Sequence, residues 1–179
     1  MSRISLADPS LVVLIGAAGS GKSTFAARHF HRDEIRSSDR LRQILSGDEA
    51  DQSRSRLAFA ILHGEVGQRL GLGLLTVVDA TNLTAGQRRP LLRRAALADV
   101  PVVAVVLALP GALVRARNAA RPRVVNGAVV DRHLAAVARL TDGSLRAEGF
   151  AAVVILGSDP EIDTTIVERI PVRSIRDRS

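Results

Sequence analysis

Residues 11–24 read Leu-Val-Val-Leu-Ile-Gly-Ala-Ala-Gly-Ser-Gly-Lys-Ser-Thr. The first five are apolar and rich in β-branched side chains, which predicts a short strand buried on both faces. Residues 16–23 match the pattern G-x-x-x-x-G-K-[ST], and the segment after them predicts a helix. A match in this strand-to-helix context predicts a phosphate-binding loop, because backbone N–H groups and a helix N-terminus both attract phosphate.

The residue types of this loop predict a site for ATP and Mg²⁺. The Lys22 ammonium can reach the β- and γ-phosphates, and the Ser23 hydroxyl can bind Mg²⁺. Since the loop backbone would surround the phosphates, all of its residues are predicted to contact the nucleotide: Gly16, Ala17, Ala18, Gly19, Ser20, Gly21, Lys22, Ser23 and Thr24.

The composition is that of one folded domain over residues 1–179. The chain is 46% hydrophobic and 24% charged, within the range of soluble domains. We expect a core over about 10–157, a lid over about 117–128 and a C-terminal tail over 158–179 that frays from Arg173. There is no cysteine, which excludes disulfides and thiolate metal sites and suits a cytoplasmic protein.

Two further kinds of site are not expected. The apolar run Leu11–Ala18 superficially resembles a signal peptide, but Asp8 and Pro9 interrupt its approach and the run leads into the phosphate loop. No apolar run reaches the length of about 18 residues that a membrane span needs. The four histidines lack metal-ligand spacing, so no zinc site is predicted.

The charge is strongly basic. The net charge is +7, and every cationic residue except Lys22 is an arginine. This balance favours a polyanionic partner such as nucleic acid, although a general bias toward arginine would produce it too. Trp and Tyr are absent and Phe occurs four times, so a platform stacking several bases is not expected.

Short apolar runs alternate with segments of helical period. The predicted strands are Leu11–Ile15, Leu74–Asp79, Val102–Leu109, Ala151–Leu156 and, more weakly, Glu34–Ser37. The predicted helices are Lys22–Phe30, Arg40–Leu45, Gln52–Leu70, Thr84–Ala98 interrupted or kinked at Pro90, Gly111–Arg121, and Val129–Glu148 broken at Gly143. This order predicts an α/β P-loop kinase fold: a parallel β-sheet of about five strands sandwiched by helices, with a mobile lid.

Polar residues follow two of these strands, where ligands bind in such sheets. Asp39 can accept the proton of an attacking hydroxyl, and Arg42 can bind a phosphate on the acceptor. The alternative is an N-cap aspartate with a solvated arginine. Asp79 can hold Mg²⁺ and Asn82 can orient a phosphate or the acceptor, or both can satisfy a turn.

Two arginine clusters remain. Arg115, Arg117, Arg121 and Arg123 surround Pro122, and this segment either closes over ATP and neutralises the transferred phosphoryl group or forms a solvated face. A second cluster lies on the helix containing Pro90: Arg88, Arg89, Arg93 and Arg94. A solvated face is the favoured interpretation of that cluster, with a patch for phosphodiesters as the alternative.

These motifs occur in the order found in one family. Gly16–Thr24, Ser37-Ser38-Asp39 with Arg42, Val77–Asn82, Arg117-Asn118 with Arg121, and Gly149-Phe150 before a strand resemble the kinase domain of bacterial polynucleotide kinase-phosphatases, which are end-healing repair enzymes. The likeness runs over about residues 10–157.

The resemblance implies roles for individual residues. It implies that Lys22 and Ser23 bind ATP·Mg²⁺, that Asp39 is the general base toward a 5′-OH of DNA or RNA, and that Arg42 binds the acceptor strand's phosphate. Arg117 and Arg121 correspond to lid arginines of the family. Arg123 stands one residue before the position of the family's third lid arginine. Two alternatives remain: a P-loop kinase for a sugar, nucleotide sugar or antibiotic, and an ATP-binding module without phosphotransfer.

Overall fold

A computed structural model describes residues 2–46 and 55–171, without the side chain of Ser46. The described strands are β1 Arg3–Asp8, β2 Leu11–Gly16, β3 Ile35–Ser37, β4 Thr76–Asp79, β5 Val102–Leu107, β6 Ala152–Leu156 and β7 Ile166–Pro171. The described helices are α1 Lys22–His29, α2 Ser38–Ser46, α3 Ser55–Gly71, α4 Ala85–Leu97, α5 Gly111–Ala119, α6 Gly127–Val137, α7 Asp142–Glu148 and α8 Asp159–Asp163.

Five strands form one parallel sheet in the order β3-β4-β2-β5-β6. Every residue of β2, β4 and β5 is buried, because helices cover both faces of the sheet. Alternate residues of β2 therefore enter different cores: Leu14 packs with Phe25 on one face, and Val13 packs with Leu62 on the other. The predicted α/β fold with a five-stranded parallel sheet is confirmed.

A second, two-stranded sheet was not predicted. Strand β1 pairs in parallel with β7, so that Arg3 lies opposite Ile166 and Asp8 opposite Pro171. Only Ile4 and Leu6 of β1 are buried, and such a short alternation gives a weak signal. Together with α8, β7 gives regular structure to half of the segment expected to be a tail. The predicted fraying from Arg173 lies outside the described residues.

Several predicted helix boundaries are wrong. The expected helix Val129–Glu148 is two helices, because Thr141 forms a capping box with Ser144 and starts α7, and Gly143 lies inside α7. Helix α2 begins at Ser38, which places Asp39 in its first turn and not at its N-cap. Helix α4 runs without a break through Pro90. The first residues of the helix expected at Gln52 lie outside the described part, and α3 starts at Ser55.

The parallel arrangement brings the carboxyl ends of the strands to one edge of the sheet. There β2 runs into the loop before α1, β3 into α2, and β4 into the turn before α4. Backbone dipoles and helix N-termini therefore converge on this edge, which is the ligand-binding edge of open α/β sheets. Among the described residues, no helix is long and apolar enough to cross a membrane.

Candidate active site

The loop between β2 and α1 has a backbone that only glycine suits at two positions. Gly19 and Gly21 have φ values of +87° and +90°, a region that side chains with a Cβ seldom adopt. A Cβ on Gly19 would also come within 3.2 Å of the Val114 carbonyl oxygen on α5. The loop backbone can therefore pack closely against α5. Gly21 is the N-cap of α1 and has no side chain, so it does not cap the free N–H groups of the first turn.

The fit to a phosphate group is supported by the polar atoms that this loop leaves without partners. The buried Oγ of Ser20 has no hydrogen-bond partner among the described residues. The first-turn N–H groups of α1 lack intrahelical acceptors by geometry. Such a set of donors at a helix N-terminus matches the predicted nucleotide site, so the loop residues fit the phosphates of ATP.

Lys22 is held inside this loop. Its Nζ donates to the carbonyl oxygens of Gly16 at 3.0 Å and Ala17 at 2.8 Å, and the residue is 8% exposed. Burial lowers the pKa of Lys22 to about 8, although the charges of Asp79 and Asp39 oppose the shift. The ammonium is therefore a positive charge that an anion in the loop would stabilise.

Ser23 and Asp79 are in direct contact. The Ser23 hydroxyl donates to Oδ2 of Asp79 at 2.7 Å. Burial raises the pKa of Asp79, while the hydrogen bond from Ser23 and the charge of Lys22 act against the shift. Within the described residues no group of three or more His, Cys, Asp or Glu can hold a metal by itself. Mg²⁺ commonly takes one or two protein oxygens plus phosphates, so this pair fits the predicted magnesium ligands.

Asp39 and Arg42 lie one turn apart on α2. The Arg42 guanidinium is in contact with Asp39, and the Arg42 side chain is the more buried of the two. Both residues line the same cleft as Lys22 and Ser23, and the charge of Asp39 acts on the Lys22 ammonium. The fold thus brings the predicted pair into one cleft with the nucleotide loop.

The predicted lid arginines also reach the cleft. Arg117, Arg121 and Arg123 all line it. Nη2 of Arg117 donates to Oδ2 of Asp159 at 2.7 Å, which links α5 to α8. The predicted mobility of residues 117–128 stays a prediction.

The chain that follows α5 is tied back to that helix. Asn118 donates through its Nδ2 to the Val125 carbonyl oxygen at 2.7 Å, and its Oδ1 accepts from the Val125 N–H at 3.0 Å. This pair of bonds closes a loop that contains Arg121 and Arg123.

The solvated-face interpretation is wrong for Arg88, and Asn82 has a structural role in the turn after β4. Asn82 is 2% exposed with φ +50°, and its Nδ2 donates to the Leu14 carbonyl oxygen at 2.8 Å, so it braces strand β2. Its contact with a phosphate or the acceptor stays a prediction. Arg88 is also 2% exposed and forms a two-pronged ion pair with Glu148 at 2.5 and 2.8 Å. It is a buried structural residue, whereas its neighbours Arg89 and Arg93 are exposed as the favoured interpretation expected.

Several cleft residues had no signal in the sequence. His133 on α6 accepts at Nδ1 from the Ala18 N–H at 3.4 Å, and burial, together with the charge of Lys22, lowers its pKa. Asp163 on α8 pairs with Arg28 at 2.7 Å. Phe59 on α3 and Gln87 on α4 line the same cleft as Asp39. The whole cleft encloses about 900 Å³, which is near the upper end of the range for small-molecule sites.

The family of the chain follows from a comparison with family models. The model described as AAA domain (AAA_33) matches residues 11–140, which contain the loop, Asp39, Asp79 and Arg117. This chain belongs to that family. A comparison with curated proteins finds no match.

Solved structures share the fold. A chain from the structure of the Pnkp1/Rnl/Hen1 RNA repair complex superposes with a TM-score of 0.63 at 21% identity, over 73% of this chain and 44% of that chain. Chaetomium thermophilum Kti12 in complex with ADP-AlF3 gives 0.61 at 17% identity, over 86% and 93%. A Janibacter sp. HTCC2649 sugar kinase gives 0.56 at 18% identity, over 86% and 88%.

These likenesses establish a P-loop kinase-like domain. That fold implies ATP binding, with Mg²⁺ as the typical metal. The chain spans less than half the length of the RNA repair chain that it matches. The neighbours include a chain of an RNA repair complex, a sugar kinase and a gluconokinase, so the fold by itself leaves the type of acceptor open.

Proposed function

We propose that this chain transfers the γ-phosphate of ATP to a hydroxyl, and that the acceptor is the 5′-OH of a DNA or RNA strand. The observation that carries the proposal is the Asp39–Arg42 pair, which lines the same cleft as Lys22 and Ser23. A carboxylate held by a guanidinium, in the same cleft as a phosphate loop, is suited to receive a proton from a phosphate-bearing alcohol.

Each residue has a defined task in this proposal. Bound ATP·Mg²⁺ supplies the phosphoryl group and a metal that neutralises its charge. Lys22 and the loop N–H groups hold the phosphates, and Ser23 with Asp79 would hold the metal. Asp39 orients the attacking hydroxyl and takes its proton. Arg117 and Arg121 stabilise the charge that develops on the phosphoryl oxygens.

A nucleic-acid acceptor is supported by charge and by similarity. Arg42 offers a planar pair of N–H donors, a geometry that matches a phosphate of the acceptor. The net charge of +7 favours a polyanion. The RNA repair chain shares the arrangement of strands and helices, over 73% of this chain.

A small-molecule acceptor is the second candidate. The sugar kinase corresponds to this chain over 88% of its own length, so a domain of this size is sufficient for a complete sugar kinase. In that case Arg42 would bind an acidic or hydroxyl group of a metabolite.

The test is transfer of labelled γ-phosphate from ATP to a short 5′-OH oligonucleotide. We expect transfer by the wild type, none to the same oligonucleotide carrying a 5′-phosphate, and a loss of at least a hundredfold in Asp39→Ala. Asp33→Ala, an exposed aspartate outside the cleft, is the matched control. No transfer by a protein that binds ATP would refute the nucleic-acid acceptor, and a screen of sugars would follow.

A further inference from the structure

One aromatic side chain differs from the rest in its position. Phe25 and Phe59 both border the cleft, but Phe25 is 1% exposed and belongs to the core, as do Phe30 and Phe150, whereas Phe59 is only half-buried. The chain contains no Trp or Tyr. Phe59 is therefore the one phenylalanine among the described residues whose ring is accessible to a ligand in the cleft.

The packing of α3 explains how Phe59 reaches this place. The buried stripe of α3 recurs every four residues: Ala58, Leu62, Val66 and Leu70. Phe59 stands beside this stripe and packs on the apolar cluster beneath it, with its ring centroid 6.2 Å from that of His63. The ring is thus supported from behind while part of it stays accessible from the cleft.

The polar groups near Phe59 suit a nucleotide unit. Asp39, Arg42 and Gln87 line the same cleft, and they lie on α2 and α4, the two helices that pack against α3. Gln87 uses its Oε1 to accept from the Thr84 N–H at 3.0 Å in a capping box, which leaves its Nε2 as a donor. A nucleobase has an apolar face for an aromatic ring and a polar edge for an amide, and the adjoining phosphate suits a guanidinium.

We propose that Phe59 is the stacking surface for the terminal base of the acceptor, so that the acceptor half of the cleft takes a nucleotide unit and not a sugar. This inference rests on the proposed function, because it places the acceptor in the same cleft as the phosphate loop. It adds a specificity residue to that function: Phe59 recognises the base, while Asp39 and Arg42 handle the hydroxyl and the phosphate.

The absence of tryptophan permits a direct binding test. Phe59→Trp gives the chain its only tryptophan, at the proposed stacking position. With ADP·Mg²⁺ present, we expect saturable quenching of its emission by a 5′-OH dinucleotide, and none by a dinucleotide with an abasic 5′ unit or by a sugar phosphate. Leu97→Trp, at a position 88% exposed near the end of α4, is the control and should not respond. Equal responses to all three ligands, or no response to any, would overturn the inference.

Kinetics give a second, independent readout. Phe59→Leu should raise the KM for a 5′-OH oligonucleotide about tenfold to a hundredfold, with a much smaller change in kcat. The same substitution should not change the KM for an acceptor with an abasic 5′ unit. An ADP affinity equal to that of the wild type shows that the variant is folded. If the wild type phosphorylates the oligonucleotide and Phe59→Leu has the same KM, stacking is refuted while the kinase stands. Base-dependent quenching without transfer would support the subsite and refute the kinase.

Discussion

The Arg117 guanidinium is held between Asp159 and the phosphate loop. Its Nη2 donates to Oδ2 of Asp159 at 2.7 Å, and its Nη1 lies 3.7 Å from the position that a Cβ on Gly21 would occupy. Both side chains of the pair are more than one-third exposed, so the ion pair contributes little to the free energy of unfolding. The ion pair instead positions Arg117: Asp159 on α8 holds this lid arginine close to the start of α1.

Removing the carboxylate should therefore weaken phosphotransfer and leave the fold intact. We expect Asp159→Ala to lower kcat/KM about fivefold, the size of a partly exposed ion pair, and Arg117→Ala to lower it about a hundredfold or more. The double variant should match Arg117→Ala alone, because Asp159 acts through Arg117. The measurement is steady-state transfer to the acceptor.

The matched control for this cycle lies on the same helix. Arg115 pairs with Asp131 at 2.9 Å, and both side chains are 57% exposed. Arg115→Ala should leave kcat/KM within a factor of two, because Arg115 is outside the cleft. Additive losses in the Asp159→Ala and Arg117→Ala double variant would show that Asp159 does not position Arg117.

The lowered pKa of Lys22 predicts how nucleotide affinity varies with pH. Phosphates favour the charged ammonium and so raise its pKa above the value of about 8 in the free protein. Binding above that pH requires uptake of a proton, so the affinity for ADP should fall by up to tenfold per pH unit as pH rises through about 8. Below about 8 the amine is already charged, and it adds no pH dependence.

Calorimetric titration with ADP between pH 7 and 9.5 measures this slope. Lys22→Arg is the control, because a guanidinium stays charged over the whole range and its affinity, even if weaker, should not change with pH. His133, whose pKa is lowered by burial, adds no charge change in this range. If the ADP affinity of the wild type and of Lys22→Arg changes with pH to the same extent, a group other than Lys22 causes the pH dependence.

The Ser23–Asp79 contact predicts a magnesium-specific defect. Asp79→Asn keeps an oxygen to accept from the Ser23 hydroxyl but removes the charge that would hold Mg²⁺. The gain in ADP affinity on adding Mg²⁺ should shrink about tenfold, whereas the affinity without Mg²⁺ should not weaken.

The control is an aspartate outside the cleft. Asp99→Asn lies in an exposed turn with φ +53°, a conformation that Asn also adopts, and should keep the full magnesium response. An Asp79→Asn protein with the same response would exclude Asp79 from metal binding. Dissociation constants with and without Mg²⁺ decide the matter.

The sequence predicted the parts of the site that follow from spacing and from sheet topology. The loop pattern identifies Lys22 and Ser23 by position alone. Asp39 and Asp79 follow from the rule that parallel strands present their carboxyl ends at one edge, which β3 and β4 do. Asp159 could not be found in this way. It acts through a contact with Arg117, which is 42 residues away in sequence, and it lies in a five-residue helix that is too short to show a periodic pattern.

The sequence indicated that Arg88 is buried, but the abundance of arginine in the chain hid this indication. It lies three and seven residues before Leu91 and Ala95, which with Arg88 form the buried stripe of α4. Helical period therefore places Arg88 on the inner face and Arg89 and Arg93 on the outer face. The four arginines were interpreted as one cluster, which hid the difference between the inner and the outer face. Only the structure shows that Glu148 is the ion-pair partner of Arg88.

The Arg88–Glu148 pair gives a prediction about stability. Arg88 also donates through Nη1 to the Asn82 carbonyl oxygen at 2.8 Å, so it joins α4, α7 and the turn after β4. Arg88→Ala should lower the free energy of unfolding by about 3 kcal/mol, because it leaves a carboxylate and a carbonyl without their partner. Urea unfolding followed by circular dichroism measures the loss.

Arg89→Ala is the matched control for this substitution. Arg89 is the next residue of the same helix and is exposed, so its removal should change the free energy of unfolding by no more than about 0.5 kcal/mol. The two variants lose the same side chain and the same charge, and both gain helix propensity. A large difference between them therefore measures burial and pairing. If both variants unfold at the wild-type urea concentration, the buried ion pair has no net stabilising effect, and apolar contacts such as those of Leu91, Leu92 and Ala95 hold α4 in place.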